Sequence, residues 1–154
     1  MKVAIVSGKA EGPNKLNSFD NALLKARIGD VNLIKVSSMV EKGTEITDLP
    51  KLKPGAMVNC VLSKITSEKK GDLISAAIVI AIGDNLGCVA ENARINTSPK
   101  EVKEEAIDMV KYMMDKRNEK INEMVVEEIN HKVEEIGTVV ASLVYLNEEI
   151  IAIQ

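Results

Sequence analysis

Apolar residues in this chain gather into short runs broken by polar punctuation, and most of the runs carry strand rather than helix character. Leu73 to Ile82 is a nearly continuous Ala/Ile/Val stretch closed by Gly83, Asp84 and Asn85, and it predicts a central strand. Ala56 to Thr66 predicts a strand before it, ending at the polar turn Ser67 to Asp72, and Leu86 to Ile95 predicts one after it. Lys2 to Ser7 reads as the opening strand, Gly8 to Lys15 as a flexible glycine-containing loop, and Val31 to Val36 as the next strand.

Two segments follow the helical period. Phe19, Leu23, Leu24 and Ala26 give one apolar side to a short helix, with Asn17 as its cap, Asp20 three positions on and Gly29 as its terminator. The second helix starts with Ser98 as cap, Pro99 at the first helical position and Glu101 at the capping-box position. Val102, Ala106, Met109, Val110 and Met113 trace its apolar face to about Lys116. Met39 to Gly55 is turn-rich, with Pro50 and Pro54 punctuating it. Over Met124 to Val133 a strand competes with a continued amphipathic helix. The strand is preferred, because Gly137 turns into the β-branched, apolar run Thr138 to Leu146. These elements predict an α+β fold, as one mixed sheet with two helices or as two packed sheets flanked by them.

At 154 residues the chain reads as one domain, able to remove roughly 68 to 70% of its unfolded surface from water without a metal or disulfide. A formal charge of −3 and a pI near 5.3 provide no basic surface for phosphate backbones or anionic lipid, so neither nucleic acid nor a membrane is an expected partner. Phe19, Tyr112 and Tyr145 are the only aromatic residues, too few for base stacking. No leader-like segment or run of 18 apolar residues is present, and a cytoplasmic location is expected. Cys60 and Cys88 are too far apart in sequence to form a ligand cluster, and no metal is expected. Gly8 and Gly12 lack the further ordered glycines and the lysine-hydroxyl pair of a dinucleotide or phosphate-binding loop.

The pair Ser37-Ser38, placed just after the run Val31 to Val36, carries the chemistry. Two adjacent serines are ordinary turn residues by themselves. An activated Ser38 hydroxyl can instead attack the preceding carbonyl, converting an amide into an ester. Elimination then frees the Ser37 carboxylate and leaves dehydroalanine at position 38, which takes up water and loses ammonia to become a ketone-bearing pyruvoyl terminus. Such a ketone is an electron sink for Schiff-base chemistry on an amine substrate. Asn32 is a candidate donor to the Ser37 carbonyl. An undisturbed strand would place it about 20 Å from Ser38, so its reach depends on a bend.

The blocks around these serines resemble a known family. Leu16-Asn17-Ser18-Phe19-Asp20, Ile28-Gly29-Asp30-Val31-Asn32-Leu33 and Ser37-Ser38 stand in the order and spacing of the small archaeal and bacterial pyruvoyl-dependent arginine decarboxylases, and Leu49-Pro50, Gly55-Ala56, Ser75 to Ile78, the Glu91 region and Gly137 continue the match over nearly the whole chain. The resemblance implies cleavage into residues 1–37 and 38–154, with Ser38 as precursor of a covalent pyruvoyl group in place of pyridoxal phosphate or metal. It implies that Asn32 assists processing, that Glu91 donates a proton after carbon dioxide leaves, and that Asp20 pairs with the guanidinium of L-arginine. Leu16, Gly29 and Val31 become pocket residues. The implied protomer is an αββα sandwich, assembled as a homotrimer or a dimer of trimers with pockets at subunit interfaces, and the implied product is agmatine.

The chain departs from the family pattern at Arg27, where glycine is common, at Val40-Glu41 in place of Pro-Pro, at Asn59-Cys60 in place of Pro-Thr, and at Asn92, where an aromatic residue often stands. These changes bear on substrate preference more than on cleavage. Two other readings therefore stay open: a decarboxylase of the same fold acting on another amino acid, and a non-catalytic oligomeric protein with a structural or regulatory role. Outside the expected site, His131 is read as a polar residue in or beside a sheet and Cys60 as a small core residue, while Cys88 is a candidate pocket neighbour of Glu91.

Overall fold

The computed structural model describes residues 1–153; Gln154, the last residue of the expected domain, lies outside them. Its elements are β1 (Lys2–Glu11), α1 (Lys15–Lys25), β2 (Asn32–Lys35), β3 (Met39–Glu41), β4 (Glu45–Ile46), β5 (Met57–Ser67), β6 (Leu73–Ile82), β7 (Leu86–Ile95), α2 (Pro99–Lys116), β8 (Glu123–Lys132) and β9 (Gly137–Leu146). One sheet is mixed, in the order β2-β5-β9-β1-β4, with β2 parallel to β5 and β4 parallel to β1. The other is antiparallel throughout, in the order β3-β7-β6-β8. The α+β expectation holds, and the arrangement is four layers, helix on sheet on sheet on helix.

Strand β6 shows why. Ile74, Ala76, Ile78, Ile80 and Ile82 point between the sheets, where they meet Val139, Ala141 and Leu143 of β9. The alternate residues Ala77, Val79 and Ala81 point the other way, under Val102, Ala106, Val110 and Met114 of α2. A strand buried on both faces has no polar face to display, so its sequence reads as one nearly continuous apolar run. The third apolar layer lies between α1 and the first sheet, where Ala22, Leu23 and Ala26 meet Val58, Leu62, Val140 and Val144.

The local expectations hold best where neighbours in sequence decide them. Ser98 caps α2 by accepting the Glu101 N–H at 3.1 Å, with Pro99 opening the helix. Met124 to Lys132 is strand, paired with β6 along its whole length. Four expectations need correction. The opening strand does not end at Ser7 but runs to Glu11, paired residue for residue with β9. Gly8 is there because α1 crosses it so closely that a Cβ would collide with the Ala22 carbonyl oxygen and the Ala26 nitrogen. Asn14, not Asn17, caps α1: its carboxamide oxygen accepts the Asn17 N–H at 2.8 Å. The stretch from Met39, read as turns, contains β3 and β4, too short to show a period.

The fourth correction concerns the end of α1, which closes before Gly29. Arg27 N–H donates to the Leu24 carbonyl and Ile28 N–H to the Leu23 carbonyl, both at 3.0 Å, with Arg27 at φ +66°. This is the Schellman closure, and its left-handed position usually takes glycine because a Cβ is crowded there. The common family glycine at position 27 thus has a backbone reason, which this chain forgoes.

The far end of the sandwich is pinned by Glu11. Its carboxylate accepts the N–H groups of Glu134, Glu135 and Ile136 in the β8–β9 turn and lies 2.6 Å from His131 Nε2. Burial pushes the Glu11 carboxyl up, but these hydrogen bonds outweigh it and hold the group below the usual range. His131 is thus tied into the frame at the opposite end of β9 from Tyr145.

Candidate active site

The serine pair sits where the chain passes from one sheet to the other. β2 forms the outer edge of the first sheet and ends at Lys35; β3 forms the outer edge of the second and begins at Met39. Val36, Ser37 and Ser38 span the gap. Val36 N–H is held by the Cys60 carbonyl at 2.9 Å on the first sheet, and the Ser38 carbonyl accepts Val89 N–H at 2.8 Å on the second. Ser37 between them is exposed and Ser38 half-buried. The crossing is therefore anchored at both ends and open in the middle, over a cleft of about 340 Å³ lined by Val36, Ser37, Ser38, Met39, Asn59 and Tyr145 among others.

Glu91 lies two residues beyond Val89 on β7, about 6.8 Å further along the strand. Val89 and Ala93 on either side of it face the layer between the sheets, so Glu91 faces that way too, at the open edge. It lines a second cleft of about 300 Å³ with Lys35, Ser63, Lys64 and Asn92. Ser63 Oγ donates to the Asn92 carbonyl at 2.8 Å and closes this edge. Glu91 reaches the surface, yet the surrounding protein desolvates its carboxyl and raises its pKa, with Lys35 pulling the other way. A carboxyl whose pKa is raised keeps its proton to higher pH, the direction a proton donor needs.

The other expected residues lie elsewhere on the protomer. Leu16 and Asp20 share the exposed face of α1, one turn apart, with Leu16 73% exposed. Gly29 and Val31 line a cleft of about 390 Å³ with Leu24, Arg27, Asp30 and Pro50. Asn32 begins β2, and its carboxamide donates to the Gly55 carbonyl at 3.1 Å. No bend brings it toward Ser38: β2 pairs with β5 in unbroken register from Asn32 to Lys35. The expected residues thus stand at separate places: Ser37 and Ser38 at the crossing, Glu91 in the neighbouring cleft, Leu16 and Asp20 on α1, Gly29 and Val31 in a third cleft, and Asn32 at the start of β2.

Cys88 is buried beneath α2 on the opposite face of β7 from Glu91, and burial raises its thiol pKa. Cys60 is buried under α1. The Asn92 side chain turns to α2, donating to the Val102 carbonyl at 3.1 Å and to Glu105. That departure from the family pattern is thus a helix-to-sheet tie. Sequence reasoning passed over Lys35 and Tyr145, both at the crossing. The signal available was a tyrosine near the end of an otherwise aliphatic strand, in a chain with only two tyrosines. Among the described residues no group of three or more His, Cys, Asp or Glu side chains is placed to hold a metal ion, and no helix is long and apolar enough to cross a membrane.

A solved structure of pyruvoyl-dependent histidine decarboxylase at pH 8 shares this fold, with a TM-score of 0.52 at 15% identity, covering 62% of this chain and 52% of that one. The architecture is thus one found in a pyruvoyl-dependent decarboxylase. The sequence narrows it: residues 2–150 match the family described as Pyruvoyl-dependent arginine decarboxylase (PvlArgDC). A pyruvoyl-dependent arginine decarboxylase of Methanothermobacter thermautotrophicus is 58% identical over 147 residues, 96% of this chain and 97% of that protein. Those of Methanocaldococcus jannaschii (37% identical, 91% of this chain and 86% of that protein) and Pyrococcus abyssi (41%, 74% and 72%) are further relatives. The chain belongs to the pyruvoyl-dependent arginine decarboxylase family.

Proposed function

We propose that this chain cuts itself between Ser37 and Ser38 and then converts L-arginine to agmatine and carbon dioxide. The observation that carries the reading is the position of the serine pair: in a chain of this family, it bridges the two sheets beside Glu91, anchored on both sides and exposed between. Ser38 Oγ adds to the Ser37 carbonyl carbon, the C–N bond breaks and an ester forms. Loss of the Ser38 α-proton expels the Ser37 carboxylate, and one water enters as one ammonia leaves, so residue 38 ends as a pyruvoyl group. That group supplies a ketone that condenses with the substrate amine and accepts the electron pair released with carbon dioxide. Glu91 returns a proton to the substrate carbon, and Asp20 holds the guanidinium by paired hydrogen bonds.

Cleavage leaves the two segments, residues 1–37 and 38–154 of one domain, associated. β1 is paired over ten residues with β9, and Val3, Ala4, Val6, Ala22, Leu23, Ala26 and Ile28 of the short segment are buried. Burying each large aliphatic side chain contributes roughly 1.5–3 kcal/mol. The site is completed between protomers: Asp20 on one faces Ser38 and Glu91 of a second copy in a homotrimer or dimer of trimers. Exposed Leu16, Ile34, Val36 and Met57 along α1 and the β2 edge favour such an interface. The enzyme is read as cytoplasmic.

One observation favours a different substrate: the Arg27 cation lines the cleft of Gly29 and Val31. Intact mass under denaturing conditions, followed by assay of the same preparation on arginine and other amino acids, tests both readings. The expected result is two fragments divided before residue 38, the second with the mass of a pyruvoyl terminus, agmatine formation, and an unbroken chain in Ser38→Ala. An unbroken wild-type chain inactive on every amino acid would leave a non-catalytic oligomeric protein.

A further inference from the structure

We propose that Tyr145 is a positioning residue for self-cleavage: its phenol, donated from β9 of one sheet to the Met39 carbonyl on β3 of the other, holds the downstream side of the scissile bond in register for attack. The inference rests on the cleavage reading above and adds a residue to it. Tyr145 Oη lies 2.6 Å from the Met39 oxygen, and both residues line the cleft of Ser37 and Ser38. The Ser38 carbonyl is already fixed by Val89 N–H at 2.8 Å. Two consecutive carbonyls after the scissile amide are thus held from two different sheets.

The need for a second clamp follows from β3 itself. It is a three-residue edge strand, and its partner on the ladder is β7 alone. Short edge elements with few ladder bonds open readily. Attack requires Ser38 Oγ to sit about 3–3.5 Å from the Ser37 carbonyl carbon, and rotation about the Ser38 N–Cα bond would carry the hydroxyl away; holding the Ser38 and Met39 carbonyls fixes the chain on the downstream side of that bond. Tyr145 reaches across the gap because its side chain belongs to the face of β9 that lines the inter-sheet core, in line with Val139, Ala141 and Leu143. Burial, with a smaller contribution from Cys60, raises the phenol pKa, so the hydroxyl keeps its proton and remains a donor.

The test compares the rate of chain cleavage, followed by intact mass, in wild type, Tyr145→Phe, and protein with 3-fluorotyrosine at position 145, which keeps the hydroxyl. Removing one well-placed hydrogen bond is worth about tenfold in rate. Cleavage is expected to slow about tenfold or more in Tyr145→Phe and to stay near the wild-type rate with 3-fluorotyrosine. Melting of the uncleavable Ser38→Ala chain with and without Tyr145→Phe reports on folding, and the two are expected to agree within a few degrees. Wild-type cleavage in Tyr145→Phe, equal slowing with 3-fluorotyrosine, or loss of folding in the double variant would each overturn the assignment. A wild-type chain that never cleaves would instead sink the reading on which it rests.

Discussion

Replacing Arg27 by glycine should stabilise the protein, which is an unusual direction for a substitution that deletes a long side chain. The residue occupies the left-handed position of the α1 closure at φ +66°, where an L side chain costs about 1–2 kcal/mol relative to glycine. Against this gain stands the greater backbone freedom of glycine in the unfolded chain, about 0.4–1 kcal/mol. The one hydrogen bond the side chain makes among the described residues, from its guanidinium to the Leu49 carbonyl, is stretched to 3.5 Å and contributes little. The net is about 0.5–1 kcal/mol in favour of Arg27→Gly. For a chain of 154 residues, an unfolding entropy of about 2.1 cal/mol/K per residue converts this to a rise in Tm of about 2–3 °C. Melting should be followed at one fixed protein concentration, because association shifts Tm by mass action. Arg27→Ala is the control: it deletes the same contacts but keeps the Cβ, so it should show no rise. A glycine variant that melts at or below wild type, with alanine beside it, would refute the claim that backbone conformation governs this position.

Glu91→Gln should still yield two fragments by intact mass but lose about 10²-fold or more in kcat, the usual range for a missing proton donor; an uncut chain would move Glu91 from turnover into processing. Because desolvation raises the Glu91 pKa, kcat in the wild type should fall as pH rises through that raised value, and the limb should vanish in the Gln variant. The stability contribution has the same sign: it is full below the unfolded-state pKa and lost as pH rises through the folded one, so heating at increasing pH should narrow the gap to Glu91→Gln or reverse it. Asp20→Asn should cleave normally and raise KM for arginine by about 10-fold or more, since a charged hydrogen-bonded pair is worth about 1.5–3 kcal/mol; unchanged arginine kinetics would remove Asp20 from the guanidinium.

What could be read directly from the sequence is what neighbouring residues impose on one another. The Ser98 cap, Pro99 and the four-residue spacing of Val102, Ala106 and Val110 define α2 locally, because helical hydrogen bonds and side-chain faces span at most four positions, whereas the expected Met109 is exposed and Met114 is the methionine that completes the buried face. The nearly continuous run of β6 announces burial on both faces, and the blocks around Ser37-Ser38 carry the family. Only the tertiary structure could decide the rest. Gly8 is a strand residue rather than a loop residue because a helix passes over it. Asn32, close to the serines in sequence, is held away from Ser38 because β2 pairs with β5 in unbroken register from Asn32 to Lys35. Val89 and Tyr145, far away in sequence, hold the carbonyls of Ser38 and Met39. These contacts join elements whose closeness depends on how two whole sheets stack, and that stacking is set by the summed burial of three apolar layers, a property that no window along the chain contains.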